Sequence, residues 1–512
     1  MISLPREVTG PAGRVDSGAG RSGYKLSLPR IRAKGKAARA RDRRLRASGR
    51  AAATESWPRQ PIRVILARMA LSRRGFLLAA GAGALAAPGI AGLVAGRRGV
   101  EAGAERPESL WTSEIPPIPP APRLEGEHGV DLAIVGGGYT GLACAFYAKK
   151  LRPDWSVSVL ESHRLGSGAS SRNSGAVRAT YLGVRSNGVA KRGLERLVRF
   201  IEEEEIECDL RRVPVIELYS SKLVLRKASA SLEPGSRLVP VDELSETMRT
   251  DFYAGAVERS HYSSLHPAKL VAGHVRAARR MGVELHEYSP VLEVRRGRPA
   301  ELLTPLGRMR AKHVFLATNA HTPRLGFLAS SMMPVHQYTL ATRRLTQKEM
   351  QTFGLERWSL RFERRLLPVT THLTPSGHLF VRIVLGYASF DSCEWRDLEG
   401  ARELASRIFE QRYPWVADVA FEQGWHGVTG HTLNLREIAC PIAGDNIHVS
   451  AAYNGLGVMP GHNNGYLTAC RIAEHHDDDV RHLTDRPGGW PLPGEFYRSL
   501  VFKPFMKLLS PG

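Results

Sequence analysis

Apolar positions along this chain fall into two periodicities and one long interruption. Val130-Asp-Leu-Ala-Ile-Val135 is a short, nearly unbroken apolar run, the pattern of a parallel strand buried on both faces. Residues 142 to about 150 are rich in Ala and stop before Pro153, which predicts a helix. Ser156-Val-Ser-Val-Leu160 predicts a second strand. Leu270, Val271, Val275, Ala278 and Met281 recur at helical spacing behind Leu265-His-Pro, so an amphipathic helix is expected there, ending at Gly282. A strand at 283–287, a hairpin and a strand ending in 311–320 come next. Ile447-His-Val-Ser-Ala-Ala452 is expected to be the last buried strand, leading into a helix that runs to about Glu474 with Pro460 in its first turn. In between, residues 208–262 and 330–422 alternate apolar and polar in short runs such as Pro334-Val-His-Gln-Tyr-Thr-Leu-Ala341. That alternation predicts a mixed sheet inserted between pieces of the α/β unit.

The interruption is N-terminal. Residues 1–68 have no apolar periodicity and hold 17 Lys+Arg against 4 Asp+Glu, so they cannot bury a core. A basic nucleic-acid tail, an organellar transit peptide and translated DNA upstream of the true start compete; the segment that begins at Met69 favours the last. Met69-Ala-Leu-Ser-Arg-Arg-Gly-Phe-Leu-Leu78 resembles a twin-arginine export signal, with the pair Arg73-Arg74 directly before the uncharged residues 75–96. That run is only weakly apolar and is interrupted by Pro88, which suits a signal better than a permanent span. The expected location is periplasmic or otherwise exported, with membrane anchoring through 75–96 and a cytoplasmic location as alternatives. Residues 105–128 read as a linker, with Trp111 ahead of Ile115-Pro-Pro-Ile-Pro-Pro-Ala-Pro122. This run must lie extended, because Pro lacks the amide donor.

Composition changes the picture only in this light. The 512 residues carry a net charge of +22, with 43% hydrophobic and 24% charged residues. Wholesale disorder and a polytopic membrane protein are excluded. The charge would suggest a polyanion partner, but residues 105–512 hold 51 Lys+Arg against 45 Asp+Glu. No nucleic-acid partner is expected for that part. The five cysteines are scattered and never spaced C-x-x-C, so neither a disulfide scaffold nor a structural zinc site is expected. His475-His476-Asp-Asp-Asp479 reads as the solvated end of the last helix, and no metal site is assigned.

The strongest chemical signal lies directly after Val135. Gly136-Gly-Gly138-Tyr-Thr-Gly141 is a G-x-G-x-x-G between a strand and a helix, and Glu161 ends the next strand. Gly136 permits the tight turn, Gly138 lets the backbone approach a pyrophosphate, and Gly141 lets helix and strand pack closely. The helix N-terminus offers amides and a positive dipole to phosphates, and Glu161 can accept from ribose hydroxyls.

Leu165-Gly-Ser-Gly-Ala-Ser-Ser-Arg-Asn-Ser-Gly-Ala176 resembles the loop after the second strand in the D-amino-acid-oxidase-like FAD enzymes. That group includes glycine oxidase, sarcosine oxidase and γ-glutamylputrescine oxidase. Ser170, Ser171, Arg172, Asn173 and Gly175 match its motif, and Ser174 stands where Gly is usual. Ala317-Thr318-Asn319 and Tyr453-Asn454-Gly455-Leu-Gly457 resemble two further family segments, and the likeness runs from about 108 to 480. The resemblance implies FAD as cofactor, bound by all these residues with Gly136, Gly138, Gly141 and Glu161. It implies a Rossmann-like FAD-binding domain interrupted by a mixed-sheet α+β substrate domain, an α/β fold. The expected division is a leader at 1–68, a signal or anchor at 69–104, the linker at 105–128, an FAD-binding domain of 129–207, 263–329 and 423–480, a substrate domain of 208–262 and 330–422, and a C-terminal tail at 481–512.

The implied chemistry is oxidation of a C–N bond of an amine or amino acid by hydride transfer to the flavin, with oxygen or a quinone as final acceptor. No protein nucleophile is needed, so the residues to find are those that hold the substrate. His426, in Trp425-His-Gly427, is a candidate for the pocket. Arg382 could clamp a carboxylate, and His372 stands about where many relatives have Arg. Arg343-Arg344 replaces the family's usual acid–proline pair. A flavin monooxygenase is an alternative, on Gly444-Asp445-x-x-His448, as is a flavin-binding protein without catalysis.

Overall fold

The computed structural model describes residues 108–182, 188–364, 369–387, 398–413, 419–444, 446–484 and 488–509. The basic leader, the export-like segment and Asp445 lie outside them. Strands are numbered β1–β17 in chain order and form two sheets. The first has eight. Its main path runs β16 (Ile438–Ala443), β17 (Ile447–Ala451), β10 (Gly307–Leu316), β1 (Gly126–Val135), β2 (Val157–Leu160) and β7 (Glu284–His286), with the hairpin β8 (Glu293–Arg295) and β9 (Ala300–Leu303) joined through β10. β17, β10, β1, β2 and β7 are mutually parallel, as an apolar run buried on both faces requires.

The second sheet has nine strands. Its path is β15 (Phe421–His431), β11 (Met333–Arg344), β14 (His378–Tyr387), β13 (Thr370–Leu373), β12 (Leu360–Glu363), β4 (Arg211–Tyr219), β6 (Gly255–Ser264) and β3 (Ala176–Arg178), with β5 (Ser236–Val239) on β6. Among the described residues of this sheet only the β12–β4 pair is parallel. The helices used below are α1 (Leu110–Ser113), α2 (Tyr139–Leu151), α3 (Val189–Glu203), α4 (Pro267–Arg280), α5 (Leu398–Arg412), α6 (Val458–Ile472) and α7 (Glu495–Leu509). α2, α3, α4 and α6 share one core with β1, β2 and β7. α5 packs on the second sheet through Ala405, Ile408 and Phe409.

Five features depart from the sequence expectations. The described part of the expected linker, residues 108–128, is more than a linker: Leu110 and Trp111 are buried in a cluster with Ala268, Ala341, Phe380 and Trp425. β15 joins the second sheet, because residues 421–431 run antiparallel to β11 over ten register pairs. β3 joins it too, through β6. The C-terminal residues are not a tail: Leu492 N donates to Ser330 O (2.7 Å), Arg498 Nη1 to Met332 O (3.1 Å), and Tyr387 Oη to Glu495 Oε1 (2.9 Å). Nor is Asp479 solvated; it is buried and accepts from Arg192 Nε at 3.0 Å.

Candidate active site

The first turn is built by contacts that leave no room for side chains. Gly136 has φ +108°, and a Cβ there would lie 2.8 Å from Ala317 O. At Gly141 a Cβ would lie 2.0 Å from Gly136 O. Those two glycines serve the protein's own backbone. Gly138 differs: a Cβ there would meet only the Ser170 side chain, with Oγ at 2.7 Å. Ser170 Oγ also accepts from Tyr139 N (3.1 Å), the first amide of α2. Glu161 ends β2 beside this turn. Its Oε2 accepts from Gly137 N (2.8 Å), and its Oε1 from His163 N and Ser162 Oγ (both 3.0 Å). A glycine open above a helix start, with an oriented carboxylate alongside, fits a dinucleotide.

The loop after β2 folds on itself. Ser171 Oγ donates to Gly166 O (2.7 Å), and Asn173 Nδ2 to Ser170 O (2.8 Å). Asn173 Oδ1 accepts from Gly175 N (2.9 Å). Gly175, at φ +70°, leaves a Cβ only 2.2 Å from Leu265 O. Arg172 reaches across: Nε donates to Ser167 O (2.8 Å) and Nη1 to His426 O (3.2 Å). A small cavity of about 20 Å³ lies there, lined by Gly168, Ala169, Arg172, His321, His426 and Gly427.

The ends of β10 and β17 are strained together. Asn319 (φ +44°), Ala452 (φ +60°) and Asn454 (φ +53°) all occupy the left-handed region, which costs a non-glycine residue about 1–3 kcal/mol. Hydrogen bonds hold them there. Asn319 Oδ1 accepts from Ala452 N (3.0 Å), Asn454 Nδ2 donates to Ala452 O (2.7 Å), and Asn454 Oδ1 accepts from Thr432 N (2.9 Å). Thr318 Oγ1 bonds Thr322 Oγ1 (2.9 Å), and Ala317 N donates to Val135 O (2.9 Å). Gly457 caps α6. A Cβ on Gly455 would lie 3.6 Å from Gln337 Nε2, which links this turn to the second sheet.

On that sheet, strand alternation decides which candidates share a face. Arg382 Nη1 donates to Gln337 Oε1 (3.1 Å) and Nη2 to Thr370 Oγ1 (2.6 Å). Because arginine only donates, the Gln337 amide is fixed, and its Nε2 donates to Thr429 Oγ1 (2.7 Å). Thr429 Oγ1 bonds His431 Nε2 (2.9 Å). Burial lowers the Arg382 guanidinium to about 10. Burial, helped by the Arg382 charge, lowers His431 to about 4. His372 lies on the same face, buried beside Trp111 at 6.1 Å between rings, and burial lowers it to about 4. It pairs with Phe380, as Thr370 does with Arg382.

His426 is on the other face. Register places it opposite Tyr338, whereas Gln337 opposes Gly427. Its ring sits 5.4 Å from His336 and 6.3 Å from Tyr338, on the side where Leu340 and Val381 meet α5. It meets the cavity at the strand edge, where its carbonyl accepts from Arg172, so it does not share a face with Arg382. Gln337, Thr429 and His431 were missed by sequence reading. Gln337 lay in a run already expected to alternate, whereas Thr429 and His431, two residues apart on β15, lie beyond the stretch for which alternation was expected. His448 lies buried within β17, not at the helix start that a hydroxylase motif would need.

Comparison with known proteins agrees with this geometry. Gamma-glutamylputrescine oxidoreductase of Escherichia coli (strain K12) is 26% identical over 394 residues, covering 71% of this chain and 88% of that one. Sarcosine oxidase subunit beta of Arthrobacter sp is 22% identical over 413 residues, covering 75% and 93%. The crystal structure of glycine oxidase from Geobacillus kaustophilus superposes with a TM-score of 0.59 at 20% identity, covering 70% of this chain and 98% of that one. A model of the family DAO, FAD dependent oxidoreductase, matches residues 131–471, a span that contains the first turn, the strained strand ends and the Arg382 face. With FAD as its cofactor, the chain belongs to the DAO family of FAD dependent oxidoreductases.

Proposed function

We propose that the protein oxidises the C–N bond of an amino acid, with the substrate carboxylate held by Arg382. One observation carries this reading: a guanidinium shielded from bulk water that pairs only with neutral groups. Its partners are Gln337 and Thr370, and its Nε has no acceptor among the described residues. A buried cation normally has a counter-charge, and a substrate carboxylate would supply it bidentately. Relatives whose names specify glycine and sarcosine, both amino acids, support the same class.

Gly138 and Glu161 would hold the adenosine diphosphate half of FAD, on a turn that Gly136 and Gly141 keep tight. Ser170, Ser171, Arg172, Asn173, Gly175, Ala317, Thr318, Asn319, Asn454, Gly455 and Gly457 would surround the rest. Bound FAD supplies an acceptor for the hydride on the carbon next to nitrogen, after which water hydrolyses the imine. The chain's own contribution is placement and charge. The Arg382 charge disfavours a second cation, so the amine is held neutral. His372 and His431, kept uncharged by burial, do not reverse that. The α6 N-terminus, behind Gly457, favours negative charge in front of it.

The test is anaerobic bleaching of flavin absorption by amino acids and by the corresponding decarboxylated amines. Bleaching by amino acids, and at least tenfold slower bleaching by the amines, is expected for a charge-assisted contact. Equal rates would overturn the carboxylate reading. We also propose export through the twin-arginine pathway, supported by Arg73-Arg74 ahead of the uncharged residues 75–96, with oxygen or a membrane quinone as final acceptor. Changing both arginines to lysine should retain the protein in the cytoplasm; unchanged export would refute it.

A further inference from the structure

Three consecutive carbonyl oxygens in the loop after β2 are each engaged by a side chain from a distant segment. Ser109 Oγ donates to Ser171 O (2.8 Å), Trp425 Nε1 to Arg172 O (3.2 Å) and Trp111 Nε1 to Asn173 O (2.8 Å). All three donors are buried, the two tryptophans completely. Ser109 and Trp111 both lie 62 residues before their acceptors, so the incoming chain runs in register with the loop. The segment is also tied to both sheets. His266 Nδ1 accepts from Lys269 N, so its Nε2 carries the proton and donates to Glu114 Oε2 (3.2 Å). Ser376 Oγ donates to Glu114 Oε1. His266 caps α4, which packs in the first sheet's core, and Ser376 precedes β14, the strand of Arg382.

This arrangement has an electrostatic consequence. A trans peptide is planar, with its carbonyl and amide pointing opposite ways. Drawing the Arg172 and Asn173 carbonyls toward two tryptophans turns the next two amides, of Asn173 and Ser174, away from the tryptophan cluster. The loop then presents donors, and not carbonyl oxygens, on its other side, as an anionic cofactor requires. We propose that Ser109, Trp111 and Trp425 are positioning residues for FAD, acting through the orientation of residues 171–174. The proposal rests on the reading that this loop contacts FAD.

The experiment is FAD titration of apoprotein prepared from the full chain, monitored by quenching of flavin fluorescence, with visible spectra of the loaded forms. Trp111→Phe keeps a ring against His266, His372 and Phe380 but removes the donor. It should raise the FAD dissociation constant about fivefold to tenfold, the worth of one such hydrogen bond, and shift the flavin absorption bands. Ser109→Ala should act in the same direction, and it carries the test alone if Trp111→Phe does not fold by circular dichroism. Folded variants with wild-type affinity and spectrum would overturn the proposal. Gly138→Val tests the cofactor site separately: normal FAD uptake by that variant would overturn the site assignment, whatever the tryptophan variants do.

Discussion

Replacing Arg382 with methionine should leave the fold nearly as stable as before while abolishing preference for a carboxylate. The two effects come from the same burial. Lowering the guanidinium to about 10 means that carrying its charge costs the fold about 3 kcal/mol, or about 2 kcal/mol because the residue is only half-buried. Methionine removes that cost at similar length. It also leaves Gln337 Oε1 and Thr370 Oγ1 without a donor, at about 1 kcal/mol each. These terms offset, so the melting temperature of the apoprotein should move by no more than about 3 °C. Substrate binding has no such offset. Losing a charge-assisted contact worth about 3 kcal/mol reduces kcat/KM for the amino acid about 150-fold. The decarboxylated amine never made that contact and should lose little. Stopped-flow flavin reduction under anaerobic conditions measures both substrates, and thermal melts measure the fold. A large drop in melting temperature would mean that Arg382 stabilises the fold through some further partner, and equal loss on both substrates would mean that it does not bind carboxylate.

Burial and close packing elsewhere in the molecule predict two further outcomes. His274 and His372 are both buried, and burial lowers each to about 4, below the value of about 6.5 in the unfolded chain. Unfolding therefore takes up protons between those limits: stability is full above about pH 6.5 and falls as pH drops toward 4, by up to about 3 kcal/mol per histidine. Melting temperatures that stay flat from pH 7 to 5 would refute this. Gly141→Ala should unfold the first sheet, since its Cβ would meet Gly136 O at 2.0 Å. Gly138→Ala should displace only Ser170 and weaken FAD binding with the apoprotein intact. Melts and FAD titration separate the two, and the reverse order would contradict the assigned roles.

How much the sequence revealed depended on how local the determining contacts are. The glycine turn was legible because Gly136, Gly141 and Ile134 meet within eight residues, so spacing alone encodes the constraint. The parallel strands were legible because burial on both faces leaves an unbroken apolar run, and β2, β10 and β17 end within a few residues of where the pattern placed them. Trp111 was not legible. A tryptophan before a proline run has no local periodicity, and its partners lie 62 residues away or farther. His426 failed for a different reason. The alternation through Trp425, Gly427, Thr429 and His431 fixes which residues travel together, but both faces of the second sheet bury side chains. The pattern therefore could not say which face meets the cofactor. The register against β11 and the Trp425 bond to Arg172 O show instead which face meets the loop after β2.

Net charge was a poor guide to chemistry, and the site explains why. A surplus of basic residues spread over a surface acts as a field, screened within about 10 Å at ordinary salt. One guanidinium held off bulk water, between a glutamine and a threonine, is screened far less. It also has no competing carboxylate among the polar groups bonded to it or next along its face. The same reasoning applies at the two helix starts, where α2 and α6 each begin behind a glycine that leaves their dipole open. Through Gln337, Arg382 adjoins the Gly455 turn that leads into α6, next to the strained Ala452 and Asn454. That combination favours an anionic cofactor, an anionic substrate end and an uncharged amine in one place. A diamine carrying two positive charges would meet opposition from Arg382 however well its chain fitted. The protein should accordingly discriminate among amines by their negative groups before it discriminates by size.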